Sequence, residues 1–228
     1  MPRRKPLLRT NRILSGLSPG DRALLEPHLE PIDLPLRKRL HQPNKRVKEV
    51  YFILEGLASV VANGDHPIEV GMIGREGMTG IATVLNSDER VPYETYMQVG
   101  GSGRCLPKHR LRAALEQSPT LHAALLRYAH AFMAQTTQTA LANGRNTIIE
   151  RLARWLLMVD DRVDGSDLPL THDLLGVMLG TARPGVTLAL HELERRGWIA
   201  HSRGVISILD RKGLEKASGS AYVPPAER

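Results

Sequence analysis

The chain has 228 residues, which suits one large domain or two modest ones, and its 42% apolar and 24% charged residues are typical of a folded globular protein. It contains no run of about 18 apolar residues, so neither a membrane-spanning helix nor a membrane partner is expected. The single cysteine, Cys105, excludes an internal disulfide framework, a four-cysteine iron–sulfur site within one chain and a cysteine-based zinc finger. The formal net charge of +7 favours a polyanionic partner.

The N-terminal half is predicted to be a basic arm followed by a β-rich domain. Residues 1–12 are rich in Arg and Lys and lack the apolar core of a secretory signal, so a cytoplasmic location is expected. In residues 13–117, short β-leaning segments such as VYFILEG, LASVVA and YETYMQV alternate with turn-forming residues. Short strands at this spacing predict an antiparallel β-roll or jelly roll.

A long helix is predicted over residues 118–145, beginning at the Ser118-Pro119 pair. Side chains at heptad-like spacing form a stripe along this helix: Leu121, Leu125, Tyr128, Phe132, Gln135 and Thr139. The stripe either covers the β-roll of its own chain or pairs with a second copy. Because the helix is long and rich in small alanines that permit close helix–helix approach, the sequence favours the second interpretation, a homodimer interface.

Residues 170–199 have the pattern of a helix-turn-helix motif. Two segments with helical apolar periodicity meet at Gly180, and Thr171 and Thr181 are the predicted N-caps of the two helices. WIAHS and VISILD then flank Arg203-Gly204 as a short hairpin, which predicts a wing. A helix-turn-helix with a supporting helix and a wing is a DNA-binding domain whose second helix reads the major groove.

The whole chain is therefore predicted to be of the α+β class, with an N-terminal antiparallel β-roll or jelly-roll sensor domain and a C-terminal winged helix-turn-helix. Its parts are a basic arm (1–12), the sensor domain (13–117), a dimerisation helix (118–145), the winged helix-turn-helix domain (146–218) and a tail (219–228).

This order of elements resembles the Crp/Fnr family of bacterial transcription regulators, and the resemblance covers nearly the whole chain. The matching segments are NRILSGL at 11–17, VYFILEG at 50–56, EVGMIGREGMTG at 69–80, ERLARWLL at 150–157, and residues 168–199. The resemblance implies a cyclic-nucleotide-binding-like β-roll and a homodimer that binds a near-palindromic operator in double-stranded DNA. It also implies that the effect of binding is transmitted to RNA polymerase.

The effector chemistry of the family is only partly kept. Members that bind cyclic AMP have a Gly-Glu-Leu turn and a downstream Arg-Ser/Thr-Ala, whereas this chain has Gly74-Arg75-Glu76-Gly77 and Arg90-Val91-Pro92. Without the family's arginine contact a bound phosphate loses a charge-assisted bidentate bond, so a cyclic-AMP-type member is not expected. The cysteine count argues against an iron–sulfur-type member. Gly74, Arg75, Glu76 and Arg90 remain the candidate pocket for an unknown small-molecule effector, and no cofactor or metal is predicted.

The predicted recognition helix covers about residues 182–196. Its candidate base-reading residues are Arg183, Pro184, Thr187 and Leu188. By resemblance, Arg183 is kept from the cyclic-AMP receptor pattern, while Pro184 and Leu188 replace a glutamate and an arginine. Arg183 can donate two hydrogen bonds to guanine, and Thr187 and Leu188 can touch thymine methyl groups. The candidate phosphate contacts are Thr171, Thr181, His191 and Arg203.

Two other functions compete with this prediction. A cyclic-nucleotide-responsive regulator of the same family would be stabilised by added nucleotide. A cupin-like metal oxygenase would need a clustered His-x-His with a following Glu and a later His. The β-rich segment has only His41 and His66, and neither is so placed. The sequence therefore predicts a DNA-binding regulator rather than an enzyme.

Overall fold

The computed structural model describes residues 10–164, 167–202 and 204–224. These residues fall into two compact units. The first, the β-roll unit, contains the described residues of 10–63 and 70–136. The second, the helix-turn-helix unit, contains the segment 64–69 and the described residues from 137 onward. In the described part of the chain, no helix combines the length and the apolar character needed to cross a membrane.

The β-roll unit begins with helices α1 (Arg12–Gly16) and α2 (Pro19–Leu25) and a 3₁₀ turn (Glu26–His28). The side chains of Asn11 and Ser18 cap the two helices by accepting the N–H of the third residue along. Asn11 is itself buried, and its amide donates to the carbonyls of Ile53 and Gly77 at 3.0 and 2.7 Å. This cap therefore also fixes the start of the chain against the strands.

Two antiparallel sheets form the body of this unit, with strand orders β1-β7-β3 and β2-β6-β4-β5. The strands are β1 (Glu30–Leu34), β2 (Arg39–His41), β3 (Glu49–Ile53), β4 (Leu57–Ala62), β5 (Ile68–Ile73), β6 (Tyr93–Val99) and β7 (Gly101–Pro107). A 3₁₀ turn (Ile81–Thr83) lies between β5 and β6. The short β-leaning segments of the sequence are therefore strands, and the predicted antiparallel β-roll is confirmed.

Apolar side chains of both sheets form one core, and a second core lies beneath the helices. The first contains Leu34, Ile53, Val60, Ile73 and Met97, among others. The second joins strand residues such as Phe52 and Leu106 to α3 (Lys108–Gln117) and α4 (Pro119–Arg145). Each large apolar side chain that is fully buried in this way contributes about 1.5–3 kcal/mol of transfer free energy.

In the helix-turn-helix unit, the described residues after α4 form four helices and a small sheet. Its elements are α5 (Ile148–Asp160), β8 (Asp167–Pro169), α6 (His172–Leu179), α7 (Arg183–Arg195), β9 (Ile199–Ser202), β10 (Val205–Ile208), α8 (Arg211–Ser218) and a 3₁₀ turn (Gly219–Ala221). Thr147 and Glu150 form a capping box at the start of α5. The winged helix-turn-helix at the C-terminus is thus confirmed, as is the α+β class.

The wing differs from the predicted two-stranded hairpin. A third strand, β8, pairs antiparallel with β10, so that the order is β8-β10-β9. The strand is only three residues long and exists because residue 168 lies opposite Ile206, a pairing that local periodicity does not reveal.

Candidate nucleic-acid interface

The turn between α6 and α7 begins with a left-handed residue. Gly180 has φ 54° and ψ 46°, a conformation that glycine adopts at little cost. The next N–H, of Thr181, donates to the carbonyl of Gly176 at 3.0 Å, the 6→1 bond of a Schellman motif. Thr181 therefore completes the end of α6. The prediction that Thr181 is the N-cap of α7 is wrong, because the N-cap is Ala182, whose side chain cannot accept a hydrogen bond.

Helix α7 presents one apolar face to its own unit. Val186, Ala189, Leu190 and Leu193 are all buried, with exposures of 1% or less. This spacing of three and four residues is the inward face that the sequence predicted. The burial fixes which side of the helix faces away from the unit.

The outward side of α7 carries most of the predicted reading residues. Arg183 and Pro184 occupy the first turn and are exposed, as are Leu188 and His191. Leu188 is 71% exposed, an unusual place for a large apolar side chain on a helix of this amphipathic character. A cation, a proline ring and an apolar side chain thus share one surface at the N-terminal end of the helix.

Thr187 lies one turn beyond Arg183 on the same side of the helix but is less accessible. It is half-buried, and its hydroxyl donates to the carbonyl of Arg183 at 3.1 Å. The same oxygen lies 3.0 Å from Nδ1 of His172 at the start of α6. With the hydroxyl proton directed to the carbonyl of Arg183, Nδ1 of His172 is the donor in this second bond. Thr187 therefore links α7 to α6, and its base-reading role stays a prediction.

His172 also faces the wing. Its ring centroid lies 5.0 Å from that of His201 in β9, with the two ring planes tilted by 36°. A polar cluster of His172, Thr187 and His201 thus joins α6, α7 and the wing. No sequence spacing pointed to it, because its members are 15 and 14 residues apart along the chain and meet only through the fold.

The candidate phosphate contacts have different surroundings. The hydroxyl of Thr171 caps α6 by accepting the N–H of Leu174 at 3.3 Å, although the residue is exposed. Thr181 is half-buried in the turn, and His191 is exposed on α7. Arg203 lies outside the described residues. Thr171, Thr181 and His191 therefore remain predicted phosphate contacts on the basis of their accessible positions.

The basic C-terminal end of α7 is partly neutralised within the helix. Glu192 accepts hydrogen bonds from Arg195 at 2.9 Å and from Arg196 at 2.6 Å. The bond from Arg195 has the larger effect and that from Arg196 the next; together they hold the pKa of Glu192 at about 2, far below its ordinary value. The Arg196 guanidinium lies 4.9 Å from the ring centre of Trp198. The arginines at this end therefore stabilise the helix and its exit into β9.

Helix α5 holds the motif through buried polar contacts. Arg154 donates to the carbonyl of Ala221 at 2.9 Å and to the hydroxyl of Thr139 at 3.1 Å. The indole N–H of Trp155 donates to a carboxylate oxygen of Glu69 at 2.7 Å, and Arg151 donates to the carbonyl of Leu179 at the end of α6. Thr139, a predicted dimer contact, is buried by this network within its own chain.

The rest of the predicted dimer stripe also packs within the chain. Leu121 and Leu125 are completely buried in the core beneath the helices, so their assignment to a dimer interface is wrong. Tyr128 donates its hydroxyl to the carbonyl of Met78 at 2.8 Å, and Phe132 packs against the core between the sheets. The apolar spacing was real, but Leu121, Leu125, Tyr128 and Phe132 cover the β-roll of their own chain.

Gln135 has a distinct role in this contact. Its amide oxygen accepts the N–H of Met72 at 2.7 Å, and its amide nitrogen donates to the carbonyl of Met72 at 3.0 Å. Met72 lies in β5, which is the edge strand of its sheet. The Gln135 side chain thus makes the pair of bonds that a neighbouring strand would make, and it covers an edge that would otherwise be open.

The opposite side of α4 is apolar and exposed. Leu126 and Met133 are 41% and 57% exposed, and Leu85, on the segment before β6, is 59% exposed. Together with Pro92 and Tyr93 they line a groove of about 560 Å³ in the β-roll unit. This face of α4 was not singled out from the sequence, because its apolar residues are fewer and more widely spaced than those of the buried stripe.

The predicted effector residues are not brought together. The carboxylate of Glu76 accepts the N–H of Gly74 at 3.1 Å, and Arg75 is buried at 7% exposure. Arg90 is exposed, and its guanidinium donates to the carbonyl of Asn44 at 3.2 Å. Arg90 therefore belongs to a different surface from the turn at residues 74–77. Among the described residues, no group of three or more His, Cys, Asp or Glu side chains could hold a metal ion.

Comparisons with known proteins agree with this arrangement. Residues 150–217 match a family model described as a Crp-like helix-turn-helix domain. Over 213 residues the chain is 22% identical to the CRP-like cAMP-activated global transcriptional regulator of Mycobacterium tuberculosis, an alignment that covers 90% of this chain and 95% of that relative. Over 53 residues it is 42% identical to the transcriptional regulator SdrP of Thermus thermophilus, covering 23% of this chain and 26% of SdrP.

The fold is also similar to that of FixK2 from Bradyrhizobium japonicum. The TM-score is 0.71 at 17% identity, and the match covers 87% of this chain and 99% of FixK2. The similarity therefore extends over the β-roll unit as well as over the helix-turn-helix unit.

Proposed function

Because this chain belongs to the Crp/Fnr family of transcription regulators and carries a helix-turn-helix DNA-binding domain, we propose that it binds a near-palindromic operator as a homodimer, with α7 in the major groove. Binding takes place in the cytoplasm, where the DNA lies. RNA polymerase is the partner through which bound protein changes transcription, as the family resemblance implies.

The exposed first turn of α7 is the observation that carries this proposal. In a helix-turn-helix protein the N-terminal residues of the second helix meet the base edges. Arg183 occupies the first position of α7, where its guanidinium can donate two hydrogen bonds to guanine O6 and N7. Leu188 lies one turn beyond Pro184 and is 71% exposed, which suits contact with a thymine methyl group.

Pro184 should give this protein a different DNA sequence preference from that of family members with a glutamate at this position. Pro184 has no N–H, but a first-turn N–H has no partner within a helix, so the helix tolerates it. Its ring replaces a side chain that could accept a hydrogen bond from cytosine. The operator is therefore read by Arg183 and by apolar contacts, and Thr187 holds α7 to α6 through its bond with His172.

The dimer forms through the outward face of α4. Leu126 and Met133 are seven residues apart, so both lie on one side of the helix, and Leu85 and Pro92 extend the same apolar groove. An apolar surface of this kind on a soluble protein marks an interaction site. We infer that the same face of a second copy packs into this groove. The resulting dimer has the two-fold symmetry that a palindromic operator requires.

The response to cyclic AMP is not carried over from the mycobacterial relative. That relative is cAMP-activated by its name. In this chain Arg90 is exposed and bound to the carbonyl of Asn44, and Arg75 stands where cyclic-AMP-binding members have a glutamate. We propose that a different small molecule is the effector.

Substitution of Arg183 by Ala tests the reading role. Loss of a bidentate arginine–guanine contact costs about 1–3 kcal/mol, so the Kd for the selected operator should rise roughly 5- to 150-fold. Binding to random DNA should weaken much less. The matched control is Arg195→Ala, which removes the same charge from an exposed side chain of the same helix that pairs with Glu192. An equal loss on operator and on random DNA in Arg183→Ala would contradict the proposal.

A further inference from the structure

A second pocket in the β-roll unit, of about 670 Å³, opens between the loop that joins β2 to β3 and Arg90 on the segment before β6. We name it the cationic pocket. Its volume lies within the range of about 300–1,000 Å³ that is usual for small-molecule sites. It is separate from the turn at residues 74–77, which contributes no residue to its lining.

The charge of this pocket is strongly one-sided. Lys45, Arg46, Lys48 and Arg90 line it, and Glu49 is the one carboxylate among its lining residues. Glu49 accepts the hydroxyl proton of Tyr51 at 2.6 Å, so its carboxylate is directed to the floor of the pocket. The cations at the rim are therefore available to an anionic ligand.

The two segments that carry these cations are tied together. The N–H of Asn44 donates to the carbonyl of Val91 at 2.7 Å, and Lys45 and Val91 form an antiparallel bridge. The guanidinium of Arg90 donates to the carbonyl of Asn44 at 3.2 Å. Asn44 has φ 60°, a left-handed conformation that asparagine tolerates better than most residues. The backbone thus holds Lys45 beside Arg90 before any ligand arrives.

The floor of the pocket is aromatic, polar and rigid. His41 and Tyr51 are buried, and their rings meet edge to face at 5.9 Å. Nε2 of His41 lies 2.9 Å from the hydroxyl of Thr79, which also accepts the N–H of Tyr51 at 3.3 Å. Burial lowers the pKa of His41 to about 4, so the imidazole is neutral near pH 7 and the positive charge comes from the rim.

We propose that the cationic pocket binds a phosphate-bearing small molecule, with the phosphate held by Lys45, Lys48 and Arg90 and a planar part of the molecule lying over the accessible edges of Tyr51 and His41. Ammonium and guanidinium groups form strong charge-assisted bonds to phosphate, and the guanidinium of Arg90 is already positioned by Asn44. This inference concerns the β-roll unit alone and does not depend on how α7 reads DNA.

Isothermal titration of the full chain with pyrophosphate at constant ionic strength tests the site. Lys45→Gln/Lys48→Gln should weaken pyrophosphate binding at least tenfold, because it removes two of the rim cations. The matched control, Lys212→Gln/Lys216→Gln, makes the same change of charge on exposed residues of α8 and should bind as the unaltered chain does. Equal losses in the two double variants would overturn the proposal, since net charge alone would then explain binding. Sulfate giving the same heat as pyrophosphate would also overturn it.

Two further measurements separate the site from other roles of the same side chains. AMP should bind more tightly than inorganic phosphate if its planar base rests on the floor, and equal or weaker binding would overturn that part of the proposal. Operator DNA should bind Lys45→Gln/Lys48→Gln and the α8 control double variant equally well. A selective loss of DNA affinity in the former would show that these lysines contact the DNA backbone, which would overturn the small-molecule site whether or not α7 reads the operator.

Discussion

Replacement of Gly180 by Ala adds a single atom, the Cβ, to the turn of the helix-turn-helix. An L-residue in the left-handed conformation that Gly180 adopts costs about 1–2 kcal/mol. The new Cβ would also lie 2.4 Å from Cδ1 of Ile68, so that side chain must leave its position at a cost of roughly 0.5–1.5 kcal/mol. We therefore expect Gly180→Ala to lower the free energy of unfolding of the helix-turn-helix unit by about 2–3 kcal/mol.

Tryptophan fluorescence during urea unfolding measures this change in the unfolding free energy of the helix-turn-helix unit. The chain has two tryptophans, Trp155 and Trp198, and both lie in the helix-turn-helix unit. The emission therefore reports on that unit, and the shift of its unfolding midpoint gives the change in free energy when the slope is unchanged.

Three other substitutions separate the backbone cost from the steric one. Gly197 has φ 72° with no atom within 4 Å of an added Cβ, so Gly197→Ala should show the backbone cost alone. Gly144 lies within α4 with open space around it, so Gly144→Ala should stabilise by roughly 0.5–1 kcal/mol. In an Ile68→Ala background, Gly180→Ala should cost no more than Gly197→Ala does. The reasoning would be refuted if Gly180→Ala still cost more than Gly197→Ala in the Ile68→Ala background. It would also be refuted if the two substitutions cost the same in the unaltered chain.

Three predictions concern other parts of the chain. Thr187→Val should cost about 1 kcal/mol, because the hydrogen bond between Thr187 and His172 is lost, while the selected operator sequence stays the same; a changed sequence would show that Thr187 reads a base. Leu126→Glu/Met133→Glu should convert the dimer to a monomer in light scattering at micromolar concentration, and a persistent dimer would exclude this face of α4. His41 binds a proton more readily when unfolded, since burial lowers its folded pKa from 6.5 to about 4. Stability is thus fully present above pH 6.5 and lost as the pH falls towards 4. The loss due to His41 is about 2 kcal/mol between pH 7 and pH 5, and His41→Asn should remove it from urea unfolding followed by circular dichroism.

The features that the sequence predicted correctly are those that depend on neighbours along the chain. The inward face of α7 follows from Val186, Leu190 and Leu193, because helical spacing alone places them on one side. The start of α4 follows from Ser118 and Pro119, since a capping hydroxyl and a first-turn proline act within one turn. The strands of the β-roll were visible for the same reason, as short apolar segments between turn residues.

The features that the sequence did not predict depend on which distant residue supplies the partner. The stripe with Leu121 and Leu125 has the spacing of a buried helix face, but spacing does not say whether the same chain or a second copy buries it. The hydroxyl of Thr187 bonds to α6 because His172 lies across from it. Arg90 is not part of the site at residues 74–77, because its guanidinium donates a hydrogen bond to the carbonyl of Asn44. Each of these outcomes is set by a tertiary contact.

Selection of bound DNA from a random pool tests the central claim, dimeric reading of an operator by α7, most directly. The account predicts one enriched motif made of two inverted half-sites whose centres are one helical turn apart, about 34 Å or 10–10.5 base pairs, or a multiple of that spacing. It further predicts that Arg183→Ala relaxes the preference for guanine at one position in each half-site. Recovery of DNA without an enriched motif, or of a single unrepeated half-site, would contradict it.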